Sequence, residues 1–254
     1  MAATFQTNAI VLKRKDFREK DRLVTFFTEE YGKIQAQAIS VKKFHSKLAG
    51  HLEPFLHTRI MIANGRRIDK IAGSVTIHAF RHLRTSAIGV TLASHLVEMI
   101  DVFTRDHVSD PFTFALLRDT LAAYDTLLTE EPKSRRKLTL LFDRFLLHFV
   151  GAQGFRLHPN RCSTCGEQLG EEATFSPSNG MMCTRHPTTF DATPMLARDR
   201  EILERIESAS PAGSLAIPLE EDEHRKLHRW LTSFVTYHFE RRLRTEPFVR
   251  RVFV

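Results

Sequence analysis

Only one Trp, three Tyr and three Cys occur in 254 residues. No apolar run reaches the roughly 20 residues that a membrane-spanning helix requires. No P-loop and no G-x-S-x-G elbow is present, so neither nucleotide hydrolysis nor serine acyl transfer is indicated. The start, Met1-Ala2-Ala3-Thr4-Phe5, lacks the basic-then-apolar order of a secretory signal, which points to an intracellular chain. Three cysteines crowded between Cys162 and Cys183 cannot all pair as disulfides, and in a reducing compartment such a cluster reads as a metal site.

Acidic residues are scarce at one end. Residues 1–80 hold fourteen Lys and Arg against seven Asp and Glu, whereas the remainder holds 23 of each, so the whole net charge of +7 belongs to the first third. A surplus confined to one segment speaks of a polyanionic partner such as a phosphate backbone. Aromatic character is carried by twenty Phe, whose rings have no polar atom and belong mostly in cores.

The first third reads as β structure, with strands expected over 5–13, 23–27, 34–40, 52–63 and 68–77. Asn64-Gly65 between the last two is a hairpin signal. Five antiparallel strands in so short a span fit a small barrel of the OB type. Near residue 84 the period changes to helical. Leu92, Leu96, Met99, Ile100 and Phe103 share one face, Asp110-Pro111 opens another helix, and Leu138–Val150 is apolar nearly all round, as a central helix would be. Glu130-Glu131-Pro132 reads as a helix end, further helices are expected over 194–207 and 220–242, and the last ten residues as an extended tail. The run Glu220-Glu221-Asp222-Glu223 suits a helix start, where carboxylates meet the positive end of the dipole. The predicted architecture is therefore α+β and multidomain: an N-terminal five-stranded OB-type β-barrel over 1–80, then a C-terminal helical domain over 81–254 with an embedded metal-binding loop at 155–190.

Within that loop, Cys162-Ser163-Thr164-Cys165-Gly166 is a C-x-x-C followed by glycine, and Cys183-Thr184-Arg185-His186 repeats the two-residue gap. Cys162, Cys165, Cys183 and His186 together offer three thiolates and an imidazole, the closed donor set of a structural zinc site. One Zn2+ per chain is expected. A catalytic zinc would leave a position open, and the H-x-E with P-C-x-x-C pattern of zinc deaminases is absent. His158 is an alternative fourth ligand.

Lys13, Arg14, Lys15, Arg18, Lys20 and Arg22 crowd the first strand end and its turn. Lys42, Lys43 and Lys47 lie in a second connection, and Arg66 and Arg67 beside the hairpin. Loops of a small barrel can converge on one groove that tracks a sugar-phosphate backbone, with Phe17, Tyr31 and Phe44 as available aromatics. No base-reading motif accompanies them, so binding is expected to be salt-sensitive and sequence-tolerant.

Several blocks in this order resemble the bacterial RecO family of DNA repair and recombination mediators. They are Ala9-Ile10-Val11-Leu12-Lys13-Arg14 through Val24, Tyr31-Gly32-Lys33, Leu48-Ala49-Gly50-His51-Leu52-Glu53-Pro54-Phe55, Phe145 to Pro159 leading into the Cys162 knuckle, and Phe175-Ser176 with Gly180-Met181-Met182-Cys183. The resemblance implies an OB-fold, a helical domain with a zinc-binding loop, and a non-enzymatic role. Such proteins bind single- and double-stranded DNA, anneal complementary strands, and work with RecR to load RecA onto strands coated by single-strand-binding protein, whose C-terminal tail they meet. A cytoplasmic, nucleoid-associated place follows from that role. The family usually shows a fourth Cys where this chain has His186. Two other readings are a zinc-dependent nucleic-acid-processing enzyme and an interaction module for an acidic protein.

Overall fold

The computed structural model describes residues 4–130, 132, 134–186 and 190–253. Met1 to Ala3, and Glu131 of the expected helix end, lie outside them. Two compact units emerge, one formed by residues 1–129 with 243–252, the other by 130–242 with the last two residues.

In the first unit, β1 (Thr4–Asp16), β2 (Arg22–Thr28), β3 (Gly32–Ala38), β4 (His57–Ala63) and β5 (Asp69–His78) close a barrel in the order β1-β2-β3-β5-β4. All pairs are antiparallel except β3 with β5. The run Ala9-Ile10-Val11-Leu12 is continuously apolar because both faces of β1 are buried. Ala9 and Val11 point into the barrel core with Val24, Phe26, Ile34, Ile60 and Ile62. Ile10, Leu12 and Phe27 are buried outside that core, on the side where helices cover β1 and β2. Those helices are α1 (Arg81–Thr85), α2 (Ala87–Phe103) and α3 (Pro111–Leu127). Gly32 holds φ +65°, and a Cβ there would lie 2.0 Å from the Val108 carbonyl oxygen, so only glycine fits this turn.

The second unit is arranged around α4 (Arg135–Ala152), the expected central helix, against which α5 (Ala197–Ser208), α6 (Pro211–Ser214) and α7 (Glu221–Phe239) pack. A small sheet, β6 (Ala173–Ser176), β7 (Gly180–Cys183) and β8 (Thr193–Met195), is ordered β7-β6-β8. Arg200, on α5, is buried and donates to the carbonyls of Leu169 (3.3 Å) and Gly170 (2.6 Å), fastening the cysteine loop to the helices.

Three local expectations are corrected. Residues 52–56 are not strand. Pro54 has no N–H to donate to a ladder and Phe55 holds φ 71°, so the chain turns through a 3-10 segment (Ala49–His51) before β4 begins. The expected β4–β5 hairpin is present: Ala63 faces Lys70, and the Asp69 carboxylate accepts from the Gly65 N–H at 3.0 Å across its loop. Pro194 and Met195 belong to edge strand β8, where a missing N–H is tolerated; α5 starts at Ala197, with Asp199 accepting from the Leu196 N–H at 2.8 Å. The tail is helical, as α8 (Glu246–Phe253). The Glu98 carboxylate of α2 accepts the N–H groups of Arg244 and Thr245, each at 2.9 Å, and so supplies the start that the local sequence does not advertise. The expected division at residue 80 marks the end of the barrel; the compact units divide at 129/130 because α1–α3 pack with the barrel.

Candidate metal centre and nucleic-acid interface

The cysteine loop builds its site from two turns. The Cys162 N–H donates to the Glu167 carbonyl and the Gly166 N–H returns to the Cys162 carbonyl, each at 2.8 Å, with Gly166 at φ +74°. The β6–β7 hairpin then delivers Cys183, and the Ser163 N–H donates to the Met181 carbonyl at 2.7 Å, locking hairpin and knuckle together. One donor atom each from Cys162, Cys165, Cys183 and His186 falls within a 4.8 Å sphere of mutual distances. The Cys165 and Cys183 sulfurs lie 3.9 Å apart. Two Zn–S bonds of about 2.3 Å in a tetrahedron place sulfurs roughly 3.8 Å apart.

The electrostatics fit a cation as well. Burial raises the Cys162 thiol, but backbone N–H groups of Cys165, Cys183 and Thr164 outweigh it and hold the thiol below its usual value. Cys165 is likewise lowered: burial opposes, while the neighbouring sulfurs and the Arg185 guanidinium prevail. The Arg185 N–H pulls Cys183 down most strongly of any one group, but burial and the two adjacent sulfurs together outweigh it and leave this thiol raised. Three thiols in mutual contact cannot all ionise without a positive charge between them. The buried His186 Nε2 has no hydrogen-bond partner among the described residues. A metal ion answers both needs, so the cluster can hold one. The fourth potential donor of this group is His186; His158 is exposed and lies outside it.

On the barrel, the register of β1 decides where its cations go. A bulge at Leu12 places Lys13 opposite Thr25, Arg14 opposite Val24 and Lys15 opposite Leu23. Arg14 therefore shares the inward side with Val24 and pairs with Glu53, while Lys13 faces outward and pairs with Asp101 on α2. Both line a cavity of about 600 Å³ with Leu12, Phe55, Val97 and Arg244. Both are thus matched by a carboxylate of the fold. Asp16 binds Lys42 at 2.8 Å and Arg22 at 3.2 Å, and those two cations, in that order, hold its carboxyl below the ordinary value.

The turn after β1 and the connection after β3 are joined by Asp21. Its carboxylate accepts from the Ser40 N–H (2.7 Å) and the Gln37 amide (2.6 Å), which keep it lowered against burial. The Lys42 N–H donates to the Lys20 carbonyl at 3.1 Å. Lys15, Arg18, Lys20, Lys42, Lys43 and Lys47 are exposed on these segments. Arg66 and Arg67 are exposed too, but their loop leaves β4 where Ala63 faces Thr4, at the other end of β1. Sequence reasoning missed Asp21, Glu53 and Asp101; the last is 88 residues from Lys13 and carries no local signal.

Residues 1–80 match the family model described as Recombination protein O N terminal, and residues 84–247 the model described as Recombination protein O C terminal. The chain belongs to the recombination protein O family. Its relatives include the "DNA repair protein RecO" of a Dehalococcoides mccartyi strain, 30% identical over 205 residues that make up 80% of this chain and 78% of the relative. The protein of the same name from Myxococcus xanthus is 29% identical over 250 residues, 98% of either chain. Family membership carries a role in DNA repair and recombination. The break between the two family models coincides with the end of β5 and the start of α1.

Proposed function

We propose that this chain is a recombination mediator that works by binding and charge neutralisation, without bond chemistry. Its barrel, residues 1–80, takes single- and double-stranded DNA without sequence preference and anneals complementary strands. Together with RecR, and through the tail of single-strand-binding protein, it helps load RecA onto coated strands, in the cytoplasm at the nucleoid. The observation that carries this reading is the junction at Asp21, which gathers the exposed Lys15, Arg18, Lys20, Lys42 and Lys43 onto two adjoining segments. Two strands repel as polyanions; a cationic surface removes that repulsion while leaving base edges free to pair. Zn2+ at Cys162, Cys165, Cys183 and His186 would be structural, since four protein donors leave no position for a reacting water.

The test is a strand-annealing assay without nucleotide. Wild-type protein accelerates annealing of complementary oligonucleotides, and the Lys15→Glu/Arg18→Glu/Lys20→Glu/Lys43→Glu variant, folded by circular dichroism, does not. Equal acceleration by both proteins would remove the reading.

A further inference from the structure

Phe44 is 97% exposed, an unusual position for a side chain with no polar atom. It is not carried on a loose loop. The Lys43 N–H donates to the Ser40 carbonyl (3.1 Å) and the Ser46 N–H to the Lys43 carbonyl (3.0 Å), so successive turns fix the segment. Ser40 is in turn held by Asp21 at 2.7 Å. His45 meets the ring at 5.1 Å and 84°, and leaves it bare. The other two aromatics of the basic segments are engaged. Arg18 stands over Phe17 at 5.4 Å from the ring centre. Tyr31 packs on Phe5 at 4.3 Å, in the β2–β3 turn at the far end of β2 from Arg22.

Resting on the mediator reading above, we propose that Phe44 is the residue that makes this face prefer single strands: its phenyl ring stacks on an unpaired base while Lys43 and Lys47 hold the flanking phosphates. From Tyr31 to Leu52 there is no Asp or Glu, and while Lys33 and Lys42 pair with Asp106 and Asp16, Lys43 and Lys47 have no ion pair among the described residues and suit an anionic ligand. Phe44 is flanked in the chain by Lys43 and His45, both exposed, so the bare ring stands beside cationic and polar side chains. An anionic chain with flat apolar faces is a single-stranded nucleic acid, and every base offers such a face, which keeps binding sequence-tolerant. A duplex buries those faces in its own stack and leaves only phosphates to meet the lysines.

The full chain supplies a clean reporter. Its one Trp, Trp230, is 6% exposed, so Phe44→Trp places an indole at the proposed contact. Anisotropy titrations with an oligonucleotide and with a duplex of equal length should show Phe44→Ala weakening single-strand binding by about tenfold and leaving duplex binding within about twofold. Phe44→Trp should retain single-strand binding, with its added fluorescence quenched by the oligonucleotide and not by the duplex. Equal loss on both substrates overturns the proposal. So does loss on neither while the four-charge variant above still loses both, a result that would assign the ring to a protein contact and leave the basic face standing. Should the four-charge variant keep its affinity, the mediator reading beneath falls as well.

Discussion

The Lys42 N–H donates to the Lys20 carbonyl at 3.1 Å, so one residue of the β3–β4 connection is fixed to one of the β1–β2 turn. Their side chains, like charged and 22 positions apart in the chain, are thereby kept on neighbouring segments. Such an arrangement is repulsive by itself. It is tolerated because Asp16 takes Lys42 and Arg22, and Asp21 takes the backbone of the junction.

The first prediction separates cations that serve the fold from those left for a ligand. Lys15, Arg18, Lys20 and Lys43 have no ion pair among the described residues, whereas Lys13 and Arg14 face Asp101 and Glu53. Reversing the first four should remove DNA affinity with the thermal midpoint nearly unchanged. It should also flatten the log-log salt dependence on single strands, by about 0.7 for each phosphate that is no longer neutralised. Reversing Lys13 and Arg14 should instead lower the midpoint, because each new carboxylate is set against an existing one. Anisotropy over a salt series, with melting curves alongside, distinguishes the two. A stable, non-binding Lys13→Glu/Arg14→Glu protein would reverse the assignment.

Most of the barrel was legible because its code is local: alternating Ile34–Ala38, the continuous run at 9–12, and a turn at Tyr31-Gly32-Lys33. The cluster of Cys162, Cys165, Cys183 and His186 was legible for the same reason, since two-residue gaps bring potential donors close together. What was hidden depends on distant partners. The α8 helix begins where Glu98, 146 residues before Arg244, supplies its cap. Asp143 looks like an interruption of an apolar helix, yet it is fully buried, with His228 Nδ1 at 2.6 Å and His224 Nε2 at 3.5 Å on α7. Neither relationship leaves a trace within a window of one element.

A second prediction follows from His95. It is buried on α2 with Nδ1 2.7 Å from the Thr245 hydroxyl, and burial pushes its imidazole down to about 4, against the pull of Glu98 and Glu246. The unfolded value is 6.5. The unfolded chain therefore takes up the proton first as pH falls. The stability tied to this group is complete above pH 6.5 and is lost progressively down to about pH 4, to a total of order 3 kcal/mol. His148 adds to the same window, lowered to about 4 by burial and then by Arg144. Urea unfolding between pH 7.5 and 4.5 should show the decline, and His95→Gln should make it shallower. An unchanged slope in that variant would mean that His95 is not the group responsible.

The third prediction concerns the metal. Cys162 accepts N–H groups through its sulfur, including that of Cys183 at 3.5 Å, and the His186 Nε2 has no hydrogen-bond partner among the described residues. If zinc joins these donors, its removal leaves repelling thiolates and a buried imidazole nitrogen, and the β6–β7 hairpin loses its anchor. Cys162→Ala/Cys165→Ala should therefore contain no zinc by elemental analysis and melt several degrees lower. His186→Cys should keep the metal, because thiolate and imidazole are both good zinc ligands, and His158→Ala should change nothing. Gly180→Ala should weaken retention: Gly180 holds φ +75°, and an added Cβ would stand 3.0 Å from Ser163 Oγ and 3.1 Å from Leu157. DNA binding by the barrel should survive in all four variants, since Lys15, Arg18, Lys20 and Lys43 lie in the other compact unit. Zinc still bound in the double cysteine variant would place the ion elsewhere.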